Sequence, residues 1–527
     1  MTKGFDVVLI TDCSSQGGAV WGRSAGAYRL ATELRKQGLT VQVIDWFNHI
    51  IIEQGLLLLL LKRFIGDNTL FLGFSSTFMN SALYASRNHP WSDSVLTVGD
   101  DQGFNRKFAW GTTIYGIPPG ILAKLRELLK ENWPKLPIVT GGSRTQETDP
   151  FPDVICVGYG ERHMLDYVKW LQGKHPFFMT RKTPAGQMVL DYDTKGDGFD
   201  FINSEIEWVP GDCVQPGEAL PIEISRGCIF RCKFCSFPLN GKSKNDYMKN
   251  RDKLVAELTR NYEQFGTTRY IFSDDTYNDT QEKVEFVYEV SQQLPFKLEY
   301  ATYIRLDLLA ANKDRRQAEL LKASGLKIAF FGIESLNRKA AASIGKGMDT
   351  EKLVDTLQWL RDDVWKHDVI TTGGFMLGLP HDTYETMNAW LERISNPNFP
   401  LHTFNLSPIG IANKKMVQRA FYSEIENEPE KYGYVLSEER LEYWDNPRFG
   451  TTFEGCNELA TKVHDYAKQT GRLCMSTHMM VSTIGLGFDY DKHRGLGIEG
   501  VMRQGLLHRT RVQFLDYLKD LVNIWPE

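Results

Sequence analysis

Arg226-Gly227-Cys228-Ile229-Phe230-Arg231-Cys232-Lys233-Phe234-Cys235-Ser236 is the stretch on which the reading of this 527-residue chain turns. Its cysteines are spaced C-x3-C-x2-C, and no second cysteine pair lies nearby to complete a set of four. Closed structural metal sites take four protein ligands, so three thiolates imply a centre with one position left open. The interleaved Ile229, Phe230 and Phe234 are apolar and suited to drying such a centre.

A 4Fe-4S cube held at three irons satisfies that ligand count and leaves the fourth iron free. A zinc ion borrowing a distant fourth ligand is the competing reading of the same thiols. With an aromatic residue just ahead of its third cysteine, the triplet resembles the signature of the radical S-adenosylmethionine (SAM) superfamily. The resemblance implies that Cys228, Cys232 and Cys235 hold the cluster and that the amino and carboxylate groups of SAM chelate the free iron. It further implies reductive cleavage of SAM to a 5'-deoxyadenosyl radical, which abstracts hydrogen from an unreactive carbon.

Length and composition bound the rest. A chain of 527 residues is too long for one core and points to two or three domains. A net charge of -5 without a lysine and arginine cluster argues against nucleic acid as the main partner. Cys13, Cys156, Cys213, Cys456 and Cys474 are scattered without a shared spacing, which suits reduced thiols in a reducing compartment. The first residues lack a signal-peptide pattern, and the longest apolar run, residues 56–61, is too short to span a bilayer. These features predict a soluble, cytoplasmic protein.

Residues 1–172 alternate apolar runs with helical periodicity, predicting an α/β, doubly wound, flavodoxin-like or Rossmann-like domain. Strands are expected near 6–11, 40–45, 69–74, 136–140 and 153–157, and helices over 119–131 and around Ala27, Leu30, Ala31 and Leu34, ended by Gly38. The ligand crevice of such a sheet lies beyond the strand carboxyl ends. Ser75-Ser76-Thr77, Gly141-Gly142-Ser143 and Gly158-Tyr159-Gly160-Glu161 all fall there.

Placed ahead of the cysteine triplet, those loops resemble the cobalamin-binding domain of the B12-dependent radical SAM class. The resemblance implies that Ser75, Ser76, Thr77, Gly141, Gly142, Ser143, Gly160 and Glu161 face cobalamin. One departure is that no D-x-H-x-x-G run supplies a cobalt-ligating histidine; the first loop reads Thr11-Asp-Cys-Ser-Ser-Gln-Gly-Gly18. A base-off cobalamin without a histidine ligand is therefore the form expected. A nucleotide in the same cradle, or a domain without cofactor, is the alternative.

Gly, Pro and Asp punctuation marks residues 173–220 as a linker with one short strand near 188–192. Residues 221–410 resume strand and helix alternation for six units, the count of the partial, TIM-like (β/α)6 barrel that the resemblance implies. Helices are expected over 254–265, 314–323, 350–361 and 385–394. Function in such barrels gathers at the strand carboxyl ends. There the resemblance places SAM contacts on Asp274 and Asp275 of Phe272-Ser-Asp-Asp275, Arg305 of Tyr303-Ile-Arg305, and Glu334 and Ser335 of Gly332-Ile-Glu-Ser335. Gly374-Phe-Met-Leu-Gly-Leu-Pro380 resembles a further stretch that lies near SAM.

Residues 411–527 read as a helical C-terminal cap, with Val512, Leu515, Leu518 and Leu521 on one helix face. His464, His478, His493 and His508 are expected as ordinary surface or core residues, and Cys456 and Cys474 lack the paired motif of a second cluster. Tyr443, Trp444 and Phe453 are expected in core packing.

Together these readings predict a cobalamin-dependent radical SAM methyltransferase acting on an unactivated carbon or phosphorus centre. Its cofactors are a 4Fe-4S cluster, SAM and cobalamin. Its partners are a small-molecule or peptide substrate and an electron donor such as flavodoxin or ferredoxin. A radical rearrangement, cyclisation or oxidation without methyl transfer is the alternative, followed by a non-catalytic iron-sulfur protein. The tRNA methylthiolation branch carries its own N-terminal cysteine triplet and a small RNA-binding β domain, neither of which is found here.

Overall fold

The computed structural model describes residues 3–11, 23, 25–45, 47, 56–75, 119–142, 150–174, 181–191, 199–214, 216–236, 248–311, 315–415, 422–440, 443–469 and 473–474. Five short apolar runs form β1 (Val7–Ile10), β2 (Val41–Ile44), β3 (Phe71–Ser75), β4 (Ile138–Gly141) and β5 (Val154–Val157). They are buried along almost their whole length, as parallel strands covered on both faces must be. Successive side chains point to opposite faces of a strand, so Val7 and Leu9 meet one helical layer while Val8 and Ile10 meet the other. The first layer is α1 (Ala25–Lys36) and α4 (Gly160–Leu171); the second is α2 (Leu56–Phe64) and α3 (Pro119–Asn132).

The order β2-β1-β3-β4-β5, all parallel, is the flavodoxin-like arrangement, and its direction reverses between β1 and β3. Gly38, at φ +83°, ends α1 in the left-handed conformation that costs a residue with a Cβ roughly 1 kcal/mol.

The described residues between 173 and 220 are packed rather than loose, unlike the linker expected there. Within it, β7 (Met188–Asp191) joins β5 in parallel, and β6 (Arg181–Lys182) pairs antiparallel with β7. Phe201, Ile206 and Trp208 are buried. Arg23 pairs with Glu218, Arg29 with Ser204 and Glu223, and Arg35 with Asp212. Turn residues mark where a chain bends; they say nothing of which distant arginine will meet it.

The second sheet sets β8 (Leu220–Ile222), β9 (Arg269–Phe272), β10 (Glu299–Ile304), β11 (Leu326–Glu334), β12 (Ile370–Leu377) and β13 (Thr403–Pro408) side by side in chain order, all parallel. The helices between them are α5 (Arg251–Phe265), α6 (Gln281–Gln293), α7 (Leu306–Ala311), α8 (Arg316–Ala323), α9 (Arg338–Ser343), α10 (Thr350–Trp359) and α11 (Tyr384–Ser395). Their starts are chemically set: Asn250, Thr280, Asn337, Asp349 and Thr383 each accept hydrogen bonds from first-turn amides. The sheet runs from β8 at one edge to β17 (Leu473–Cys474) at the other, the form of a partial barrel.

Beyond β13 the expected helical cap is modified. After α12 (Glu424–Asn427), the strands β14 (Val435–Leu436), β15 (Trp444–Asn446) and β16 (Thr451–Thr452) form a small antiparallel sheet ahead of α13 (Phe453–Gln469). Alternation this short carries too weak a periodic signal to be read from sequence. Trp444 is buried, donates its indole N–H to the Ile409 carbonyl at 2.8 Å and packs against Tyr434 and Phe453. The terminal helix and His478, His493 and His508 lie outside the described residues, as does the His464 side chain. No helix among the described residues is long and apolar enough to cross a membrane.

Candidate active site at the cluster loop and crevice

The cysteine triplet follows β8, so it stands at the carboxyl end of the second sheet with the ends of β9, β10 and β11. Cys228 is buried, while Cys232 and Cys235 are partly exposed, and none of the three is in a disulfide. The Cys228 sulfur accepts from the Phe230 amide at 3.4 Å, and its S–H donates to the Thr276 hydroxyl oxygen at 3.5 Å. Burial pushes its thiol up while those two hydrogen bonds oppose the shift, so metal binding there would release the proton. The Arg305 guanidinium lies 3.8 Å from the Phe230 ring centroid and its Nη1 stands 3.6 Å from the Cys232 sulfur.

Among the described residues no three His, Cys, Asp or Glu side chains close around a point that suits a single ion. A cube takes each thiolate on a different iron, so it asks for three thiols spread along one loop, with N–H donors to sulfur. The donor set present fits that group.

Asp274 and Asp275 part company. Asp274 is buried and accepts from the amides of Ile224 at 3.0 Å and Ser225 at 2.8 Å and from the Ser225 hydroxyl. It also pairs with buried Lys283 at 2.9 Å. Its oxygens are thus engaged in holding the strand that leads into the cysteine loop, rather than standing open toward the SAM ammonium as expected. The Asp275 carboxyl forms no hydrogen bond among the described residues and is pushed up to about 7, first by burial and then by the charge of Asp274. It is the member of the pair with capacity for a ligand.

Arg305 was expected on the SAM carboxylate. Instead its Nε and Nη2 hold Asp307 at 3.0 and 2.6 Å, leaving Nη1 toward the thiols. Glu334 ends β11 at φ +70°, rare for a residue with a side chain, where the β11–β12 register shifts. Its carboxylate pairs with Lys346 at 3.0 Å, and Lys346 also donates to the Gly332 carbonyl. Ser335 is buried and its hydroxyl accepts from the Asn337 amide at 3.0 Å, so it shapes the turn into α9. Lys346 was missed because a lone lysine twelve residues beyond Glu334 belongs to no pattern.

Asn337 also reaches Asp382, which follows the Gly-Leu-Pro run: its amide donates to Asp382 Oδ1 at 3.0 Å, and the Leu379 amide donates to Oδ2 at 3.2 Å. Burial pushes the Asp382 carboxyl up to about 7 from an ordinary 3.8. Between those values the unfolded chain sheds a proton that the folded chain keeps, so this group's contribution to stability falls as pH rises and levels off above about 7. Denaturant unfolding across that range should show for Asp382→Asn a stability slope less steep than wild type by up to about 1.4 kcal/mol per pH unit.

At the first sheet, Ser75 pairs in register with Gly141 at the carboxyl end, beside the β1/β3 reversal. Thr11, following β1, is buried, and its hydroxyl has no hydrogen-bond partner among the described residues. Gly142 and Gly158 take φ of +118° and +97°. Ser76, Thr77 and Ser143 lie outside the described residues. Two of the expected crevice residues are engaged by other parts of the chain. A Cβ on Gly160 would sit 3.3 Å from the Leu30 side chain, so this glycine serves the packing of α4 on α1. The Glu161 carboxylate is buried and engaged by Arg226 at 2.7 Å.

That last contact joins the two halves of the site. Arg226 stands two residues before Cys228, and Glu161 opens the helix after β5 at the crevice end of the other sheet. The crevice and the cysteine loop are neighbours.

Residues 222–394 match the family model described as the radical SAM superfamily. This segment is a radical SAM domain. The chain is 27% identical over 190 residues to a hopanoid C-2 methylase of Rhodopseudomonas palustris, covering 35% of this chain and 34% of that protein. It is 24% identical over 277 residues to an anaerobic magnesium-protoporphyrin IX monomethyl ester cyclase of Cereibacter sphaeroides, covering 49% and 44%. The radical SAM domain and the sheet before it share their fold with the radical SAM methyltransferase TsrM of Kitasatospora setae, solved with cobalamin and a 4Fe-4S cluster. The TM-score is 0.58 at 14% identity, over 97% of this chain and 100% of that one. The matched stretches span about a third to a half of the curated relatives' length.

Proposed function

We propose that this protein is a radical SAM methyltransferase that uses a 4Fe-4S cluster on Cys228, Cys232 and Cys235 together with cobalamin in the crevice beyond β1, β3 and β4. The observation that carries this reading is the direct contact between the two loops, Glu161 to Arg226, which sets a doubly wound crevice against an open three-thiol loop. When bound, the cluster supplies the electron for SAM cleavage and the cobalamin serves as methyl carrier.

The chain's own residues have separate tasks. The Phe230 amide and the Arg305 guanidinium donate toward the sulfurs of Cys228 and Cys232, stabilising negative charge there. Asp275 and Glu334, at the ends of β9 and β11, are the carboxylates offered to SAM. Thr11, Ser75, Gly141 and Gly142 line the crevice with small groups that let a large ligand approach the backbone. The substrate class proposed is a small molecule or peptide presenting an unactivated carbon or phosphorus, with electrons from a flavodoxin or ferredoxin type of donor.

Anaerobic reconstitution followed by hydroxocobalamin titration tests the reading. Stoichiometric cobalamin beside a filled cluster is expected, and a cluster-loaded protein that takes up none overturns the methyl-transfer route. Products should gain the mass of one methylene. The similarity to the monomethyl ester cyclase favours the second reading, a radical ring closure or oxidation without methyl transfer, and an unchanged carbon count in the product would select it. Failure to cleave SAM after reduction would leave only a non-catalytic iron-sulfur protein. Replacement of Glu334 by Gln should weaken SAM binding by about tenfold, the value of a charge-assisted hydrogen bond, as read by equilibrium dialysis.

A further inference from the structure

Arg226 is buried, its guanidinium bonded at 2.7 Å to Glu161 and at 3.2 Å to Glu223. The rings of Tyr159, Phe201 and Phe199 stand 4.4, 4.8 and 5.7 Å from it. Glu223 in turn takes the guanidinium of Arg29 in α1 at 2.6 Å. The two arginines hold the Glu223 carboxyl down to about 2, so the Glu223 charge persists through any working pH. Two arginines and two glutamates balance in charge, and burial from water makes the geometry of each pair demanding. Every partner of Arg226 other than Glu223 comes from the first sheet or the packed stretch after it, whereas Arg226 itself belongs to the cysteine loop.

We propose that Arg226 is a positioning residue that locks the cysteine loop in register with the crevice loop 158–161, so that the place of the crevice ligand relative to the cluster is set through its guanidinium. Planarity and fixed charge suit Arg to this role, because a forked donor meeting two carboxylates resists rotation as well as separation. The proposal rests on the reading of the crevice as a cobalamin site for its consequence, but the lock is a property of the chain. Strain or slack at Glu161, 67 residues before Cys228, should therefore be felt at the cluster.

The test uses full-length, anaerobically reconstituted protein as wild type, Glu161→Gln, Arg226→Gln and Arg226→Lys. Glu161→Gln is nearly isosteric and keeps the proposal testable if Arg226→Gln does not fold. Two signals are read: the electron paramagnetic resonance spectrum of the reduced cluster, and hydrogen exchange of peptides covering 158–161 and 226–236. In Glu161→Gln, with iron content unchanged, the lock predicts a shifted or broadened cluster spectrum and exchange faster by roughly tenfold in both peptides together. Arg226→Lys, which keeps the charge but loses the fork, should recover only part of the wild-type spectrum. A wild-type cluster spectrum and wild-type exchange at 226–236 in Glu161→Gln would overturn the lock. Failure of the cobalamin titration in wild-type protein would instead remove the crevice reading, while these two signals still decide the lock.

Discussion

Replacing Cys232 by alanine is expected to leave the reconstituted protein with less than about a tenth of the wild-type iron and sulfide and with no turnover, because a cube held by two thiolates lacks an anchor at its third iron. The same result is expected at Cys228 and Cys235. Cys232 is the sharpest case, since it is only partly buried and its loss opens no cavity in the core. Far-ultraviolet circular dichroism should therefore match wild type while the visible absorbance of the cluster disappears. Cys456→Ala is the control: Cys456 is buried against Gly378 and Trp444, and its removal should cost stability without touching iron content. Wild-type iron in Cys232→Ala would refute the assignment of the triplet.

The second large effect concerns Lys283. Its ammonium is fully buried, 2.9 Å from Asp274 and 3.7 Å from Asp279, and it donates to the Ser225 hydroxyl and the Thr276 carbonyl at 2.8 Å. Lys283→Met removes the ammonium that Asp274 and Asp279 share, leaving two buried carboxylates in a site of low polarisability. The expected loss is about 3–5 kcal/mol, the usual result of breaking a buried pair from one side. Asp274 also anchors the Ile224 and Ser225 amides, so the disturbance should travel three residues into the cysteine loop. Denaturant unfolding and iron content on reconstitution should fall together. A variant with wild-type stability and wild-type iron would show that the network under the loop is dispensable.

Both predictions turn on residues whose visibility in the sequence differed. The cysteines announced themselves because metal ligation demands one residue type at fixed spacing, and local spacing is what a linear string preserves. Lys283 did not, since a lysine within a helical run reads as a solvated face until the fold brings it beneath Asp274. Asp274 and Asp275 show the same limit between adjacent residues. The string offers two equivalent carboxylates, and only the backbone just after β8, donating to one of them, separates a scaffold residue from a ligand candidate. Glu161 and Gly160 likewise sat in the expected loop. Their tasks, an ion pair to Arg226 and a close helix contact with Leu30, depend on partners far away in the chain.

The sequence by itself determined the two α/β units, the six barrel strands in their order, and the three-thiol loop, because each rests on short-range periodicity or on ligand spacing. Tertiary structure alone decided that the described residues between 173 and 220 are packed, that Asp274 anchors the amides of Ile224 and Ser225, and that Arg226 pairs with Glu161. The physical reason is common to all three: burial turns a charge into an obligation to find a partner, and the partner's identity is fixed by the path of the folded chain.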